Sequence, residues 1–176
     1  KEKNAVQETA INQPSLHLGG LRFSGTDDYM DFHTTTTIAE DTAFTIATVV
    51  NLAEAVNEVI LSDGNAEFFE ILTQKKIRFK TNKGGVVNTL IVSSDVLFPI
   101  GQNILIFFER NTSGNVFLNV DGETNTKGFD ITNLAVRNDT DRHFFGTILE
   151  IFVYNKQLTE SEKNNAIDYM KTKFNI

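Results

Sequence analysis

The sequence predicts an all-β protein: a two-sheet antiparallel jelly-roll sandwich closed by one C-terminal α-helix. Three observations predict it. The dominant period of apolar residues is two, the period of a strand with one face inward. The interruptions carry hairpin chemistry. A three-and-four-residue period appears near the C-terminus, in "LTESEKNNAIDYMKTKF" (158–174).

The strands can be justified in order. In "FTIATVVNL" (44–52), Phe44, Ile46, Thr48 and Val50 fall on one face and Thr45, Ala47 and Val49 on the other. "KIRFKT" (76–81) turns Ile77 and Phe79 inward and Arg78 and Lys80 outward. "NVFLNV" (115–120) sets Val116, Leu118 and Val120 against Phe117 and Asn119. Alternation of this kind marks half-buried antiparallel strands. "TLIVSS" (89–94) and "NILIFFER" (103–110) are more continuously apolar and read as strands covered on both faces. Between these runs lie "SDGN" (62–65), "NKGG" (82–85), "TSGN" (112–115) and "DGET" (121–124). Gly beside Asn, Asp or Lys supplies the positive φ of a tight hairpin. The clearest hairpin runs Asn115–Val120, turns at Asp121–Gly122 and returns over Glu123–Lys127. Ten to twelve short strands are expected, roughly the number of a sandwich or barrel.

The helix is expected over 159–174. Thr159 and Glu162 stand at capping-box spacing. Ala166, Ile167, Met170 and Phe174 then form one apolar stripe, as for a helix packed on the outside of the sandwich.

Composition bounds the function. The 176 residues suffice for one domain with a sizeable core. A formal charge of −7, with no Lys/Arg stripe, is unsuited to nucleic-acid phosphate. There is no cysteine, hence no disulfide framework and no thiolate metal site. No apolar run approaches the ~20 residues of a helical membrane span, so no membrane insertion is expected. Phe occurs 15 times and Trp is absent, so any aromatic sugar platform must use Tyr29, Tyr154, Tyr169 or an exposed Phe. Tyr29 and Tyr154 are expected as core or half-buried packing residues.

Acidic chemistry is the next question. In "LRFSGTDDYMDF" (21–32), Asp27 and Asp28 are adjacent, and neighbours in extended chain point to opposite faces. A glycosidase needs two carboxylates facing one another across a sugar. Asp27 and Asp28 are therefore expected as turn residues that bond local backbone N–H groups. Glu67 and Glu70 are three apart, and Glu150 is a lone acid expected to face outward. His17, His33 and His143 are scattered and suit surface or hydrogen-bonding roles. No catalytic residue is nominated. Calcium takes oxygen ligands from flexible loops. Two loops offer them: Asp63 and Asn65 in "SDGN", and Asn138, Asp139 and Asp141 in "RNDTDR".

Taken together, "LRFSGTDDYMDF", "FTIATVVNL", "GNVFLNVDGE" and "FFGTILEIFVYNKQLTESEKNNAIDYMKTKF" follow in an order that resembles the concanavalin A-like, laminin-G-type jelly rolls, in particular their bacterial and phage subgroup. The most specific part is the C-terminal signature, read from Gly146, Ile148, Glu150, Ile151, Val153, Tyr154, Asn155, Lys156, Leu158, Thr159 and Glu162. The catalytic branch of the superfamily places Glu-x-Asp-x-x-Glu along one strand, and this chain lacks that pattern. The pentraxin branch gathers an Asp-Asn pair and a late acid cluster around calcium. The loops at Asp63 and Asp139 look like a degraded version of it, with Gly64 separating the pair.

The resemblance implies two stacked sheets with ligands met on a concave face or at the loop rim. Residues 1–15 are expected as a polar lead-in left from a longer chain, and 16–176 as the sandwich domain with its helix. The expected function is non-catalytic recognition by a module of a larger surface-exposed protein, binding glycan or another cell-surface ligand. No cofactor is required, with calcium as an accessory. The alternative is a virion structural domain attached to capsid or tail proteins, and a second alternative is a glycan hydrolase. The expected location is extracellular, on a cell or virion surface.

Overall fold

The computed structural model describes residues 5–17, 19–32, 37–38, 42–54, 58–62, 68–73, 76–83, 86–93, 97–113, 115–120, 123–128, 134–135 and 144–176. In chain order these form β1 (Ala5–Val6), one turn of 3-10 helix (Ala10–Asn12), β2 (Ser15–His17), β3 (Gly20–Ser24), β4 (Asp31–Phe32), β5 (Thr37–Ile38), β6 (Phe44–Leu52), β7 (Glu58–Ser62), β8 (Phe68–Thr73), β9 (Lys76–Lys83), β10 (Val86–Ser93), β11 (Asn103–Arg110), β12 (Asn115–Val120), β13 (Glu123–Gly128), β14 (Leu134–Ala135), β15 (Phe145–Tyr154) and α1 (Glu160–Phe174). Eleven of the described strands have three residues or more, which matches the ten to twelve expected.

Among the described residues the strands build two main sheets. The larger has the order β13-β12-β11-β6-β15-β3-β2 and the smaller β10-β9-β8-β7. Two ribbons, β1 with β4 and β5 with β14, complete the pairing. Every described ladder is antiparallel. The four Gly-containing breaks fall between sequential partners: β7–β8, β9–β10, β11–β12 and β12–β13. In the last of these Val120 pairs with Glu123, and the turn residues expected between them, Asp121 and Gly122, lie outside the described residues.

The sheets pack face to face over a phenylalanine-rich core. Phe44 and Phe108 come from the larger sheet, Phe69 and Phe79 from the smaller, and all four are fully buried. Their rings stack or tilt on one another, Phe79 on Phe108 at 4.9 Å and Phe69 on Phe108 at 5.4 Å. Such pairs each add about 0.5–1.5 kcal/mol beyond the area they bury. The period-two register extends this layer through Ile46, Val50 and Leu52 of β6 and Ile104 and Ile106 of β11.

The opposite face of the larger sheet is also apolar at its centre. Ala47 and Val49 of β6, and Leu105 and Phe107 of β11, lie beneath α1 and meet Leu158 and Met170. This departs from the half-buried reading of "FTIATVVNL": both faces of β6 are covered, one by the second sheet and one by the helix. The helix begins as its sequence dictates. The Thr159 side chain accepts from Glu162 N–H, and the Glu162 carboxylate accepts from Thr159 N–H at 3.0 Å. Asn175 closes it in the left-handed conformation, φ 53°, which Asn tolerates better than most side chains.

Two local features fit β15 between β3 and β6. A bulge lies between Ile148 and Glu150, so Ile148 and Ile151 both reach the inter-sheet core although three residues apart. The Thr48 hydroxyl donates to the Glu150 carbonyl there, at 2.8 Å. Gly146 allows the two backbones to close, since a Cβ at this position would stand 2.3 Å from the Asn51 carbonyl oxygen.

Candidate functional site

The acids singled out in the sequence have structural employment. Asp28 Oδ2 accepts the Ser24 N–H at 2.6 Å, and Asp27 Oδ1 accepts the Thr26 hydroxyl at 2.9 Å. The pair therefore ties the turn after β3, the role expected from the sequence. Glu70 is buried and forms an ion pair with Arg78 of the neighbouring strand. Glu150 lies on the outer face of the larger sheet, paired with Lys173 of α1. Asp63, Asn65, Asn138, Asp139 and Asp141, the calcium candidates, lie outside the described residues, as do Glu67, His33 and His143. Among the described residues no three His, Cys, Asp or Glu side chains come together as metal ligands would.

An aromatic surface forms where the last residues of β15 run beside the first turns of α1. Phe152 and Tyr154 sit two apart on the outer face of β15, with ring centroids 6.0 Å apart. Tyr169 reaches down from the helix to Phe152, at 6.1 Å, and stays 46% exposed. With Lys156, Glu162 and Asn165 the three rings line an open groove of about 440 Å³. Helical spacing explains the convergence. Glu162, Asn165 and Tyr169 recur at three- and four-residue steps, so they share the helix face turned along the sheet.

Charge in the groove is fixed. Glu162 is held well below the ordinary carboxylate value of 4.5, at about 2, first by the Lys156 ammonium and then by the Thr159 backbone and hydroxyl. It remains an acceptor at any physiological pH and has no proton to give. Tyr154 is pushed up, first by burial and then by the nearby Glu162 and Glu150 carboxylates, so its phenol keeps its proton. Lys173 donates to the Tyr169 hydroxyl at 2.9 Å and stands 5.2 Å from the centre of that ring. The groove thus offers apolar ring faces, an amide and a fixed charge pair: the equipment to stack on a ring and bond its hydroxyls. The sequence named Tyr154 and Tyr169 but missed Phe152 and Asn165. The helical phase linking Asn165 to Tyr169 was the available signal.

The architecture defines the class, a two-sheet antiparallel β-sandwich with one C-terminal helix. No family model matches the sequence, and no curated protein does. Solved structures match the fold. It is similar to the CBM40 of the Ruminococcus gnavus IT-sialidase, solved bound to α2,3 sialyllactose, with TM-score 0.55 and 14% identity over 85% of this chain and 96% of that one. It is similar to the botulinum neurotoxin type G receptor binding domain, with TM-score 0.53 and 12% identity over 78% of this chain and 40% of that one. The heptameric SAP-like pentraxin of Limulus polyphemus gives TM-score 0.50 and 9% identity over 82% and 80%. The chain thus spans nearly all of the sialidase module but well under half of the toxin domain.

Proposed function

We propose that this chain is a non-catalytic glycan-recognition module of a larger, surface-exposed protein, of the laminin-G type, and that a sugar ring stacks in the groove between β15 and α1. The observation that carries this is the exposed Tyr169 ring set beside Phe152 and Tyr154, with the Asn165 amide at its margin. Aromatic faces hold the apolar side of a pyranose, while amide and carboxylate groups select its hydroxyls. Solved sandwiches of similar fold, such as the sialyllactose-bound CBM40, support the ligand class. Glu162 favours binding over catalysis, because a carboxylate held at about 2 is no general acid near neutral pH.

A glycan array followed by calorimetry tests this. The chain should bind a defined subset of glycans, and Tyr169→Ala should weaken binding roughly tenfold or more. Because Tyr169 is half exposed, its removal should leave the fold intact. An array without binders, or equal affinity in the variant, would overturn the assignment.

One observation favours attachment to a protein as a second reading. Leu16, on the edge strand β2, is 83% exposed, and Ile11 just before it is 77% exposed. An apolar edge of this kind suits pairing with another chain, as in a virion assembly. Leu16→Glu should abolish such an association and leave glycan binding unchanged.

A further inference from the structure

At the other end of β15 the same outer face carries a polar row. Arg22 of β3 stands opposite Thr147 of β15, Thr147 opposite Asn51 of β6, and Asn51 opposite Asn103 of β11. Residues directly opposite in an antiparallel ladder share a face, so the four side chains lie side by side. At ~4.8 Å per strand the row spans about 14 Å. The C-terminal end of α1 overhangs it and brings Lys171 to one side. Two adjoining hollows, of about 600 and 380 Å³, share Asn51, Gly101 and Asn103 and make one continuous trough. Gly146 lines it near Asn51, and Gly101, at φ 72°, turns the chain from Ile100 toward Asn103.

The chemistry of the trough is uncommitted. Asn51 Nδ2 donates to Asn103 Oδ1 at 3.0 Å, which orients both amides and leaves an acceptor on Asn51 and a donor on Asn103. Arg22 and Lys171 make no ion pair and no side-chain hydrogen bond to a described residue. Elsewhere around the helix the pattern is opposite: Lys156, Lys163 and Lys173 are each matched to a glutamate. In a chain of net charge −7, two unmatched cations flanking a row of amides and a hydroxyl mark a place for an anion that also carries hydroxyls.

The geometry points to a second binding site here, for an acidic oligosaccharide: its carboxylate on the Arg22 guanidinium, its ring hydroxyls across Thr147, Asn51 and Asn103 toward Lys171. A planar guanidinium takes a carboxylate through two parallel hydrogen bonds. A row of about 14 Å accommodates two or three sugar rings. The site shares the glycan class of the groove reading but none of its residues, so either can fail alone.

The test is an NMR titration of the 15N-labelled chain, following the side-chain amides of Asn51, Gln102 and Asn103 in the trough and Asn165 in the groove. The probes are α2,3-sialyllactose and trigalacturonate, two sources of a sugar carboxylate, with lactose and methyl-esterified trigalacturonate as neutral counterparts. At least one acidic probe should shift the trough amides, its neutral counterpart should not, and Arg22→Gln should weaken that response about tenfold. Which acidic probe acts identifies the carboxylate source. Trough amides that stay still with every probe, or move equally with the neutral ones, would overturn the inference. Shifts of Asn165 alone would overturn it too while supporting the groove.

Discussion

Lys163 of α1 reaches into the helix–sheet interface and places its Nζ 2.8 Å from Glu109 Oε2 on β11. Glu109 is almost wholly buried, and Thr45 of the adjacent strand adds to its surroundings. The Thr45 hydroxyl shares its proton between the Lys156 carbonyl at 3.0 Å and Glu109 Oε1 at 3.3 Å, and accepts the Leu158 N–H. One polar cluster therefore fixes how the chain leaves β15 and how the helix sits on the sheet. Both proposed binding surfaces depend on that placement.

Breaking this pair from one side should be costly. Lys163→Met leaves the Glu109 carboxylate buried without its cation and should destabilise by about 3 kcal/mol. Combining it with Glu109→Gln should recover much of the loss. Urea unfolding of the double-mutant cycle reads both numbers, and additive effects would show the pair uncoupled. Burial alone would lower the Lys163 pKa, but its bonds to Glu109 and Glu160 outweigh that and raise it above 10.5. A raised pKa stabilises fully below 10.5, and that stabilisation should fade only as pH climbs through the higher folded value.

The helix cap should respond to acid. Glu162 titrates near 2 when folded and near 4.5 when not, so its contribution is complete above 4.5 and is lost as pH falls toward 2. Helical ellipticity at fixed subdenaturing urea should hold down to about that upper value and then decline. Glu162→Gln should flatten the dependence, and an unchanged acid limb would remove Glu162 from the explanation. Thr159→Ala should cost ~1 kcal/mol at neutral pH.

The four apolar residues of the helix stripe should not be equivalent. Met170 is fully buried against the sheet, whereas Ala166, Ile167 and Phe174 are only partly covered. Met170→Ala should cost ~3 kcal/mol, and Phe174→Ala less, despite the larger side chain removed. Reversed denaturation midpoints for the two variants would refute this ranking.

Gly146→Ala should be among the most damaging single-methyl changes available. The added Cβ would meet the backbone of β6, 2.3 Å from the Asn51 oxygen and 3.2 Å from Leu52 Cα. Neither can swing away as a side chain would, so roughly 2–4 kcal/mol should be lost. A melting temperature equal to the parent's would show that β15 and β6 are free to separate.

Much of this fold is written locally. The span of β6 follows from "FTIATVVNL", β11 from "NILIFFER", the β12–β13 hairpin from a single Asp-Gly pair, and the helix start from Thr159 and Glu162. Each rests on residues within a few positions of one another, where periodicity and turn chemistry act. The turn role of Asp27 and Asp28 was legible for the same reason.

The sequence by itself determined the spans of long strands such as β6, β11 and β12, and that one amphipathic helix follows the strands. It did not determine which face of β6 meets the second sheet and which the helix, because both faces are apolar and either assignment satisfies alternation. Nor did it reveal the bulge that re-phases β15, the meeting of Phe152, Tyr154 and Tyr169, or the row from Arg22 to Asn103. Those depend on strand order and register, set by contacts between segments far apart in the chain. A neighbour gained through a ladder hydrogen bond leaves no mark on the residues beside it in sequence, so only the packed sheets could place these side chains together.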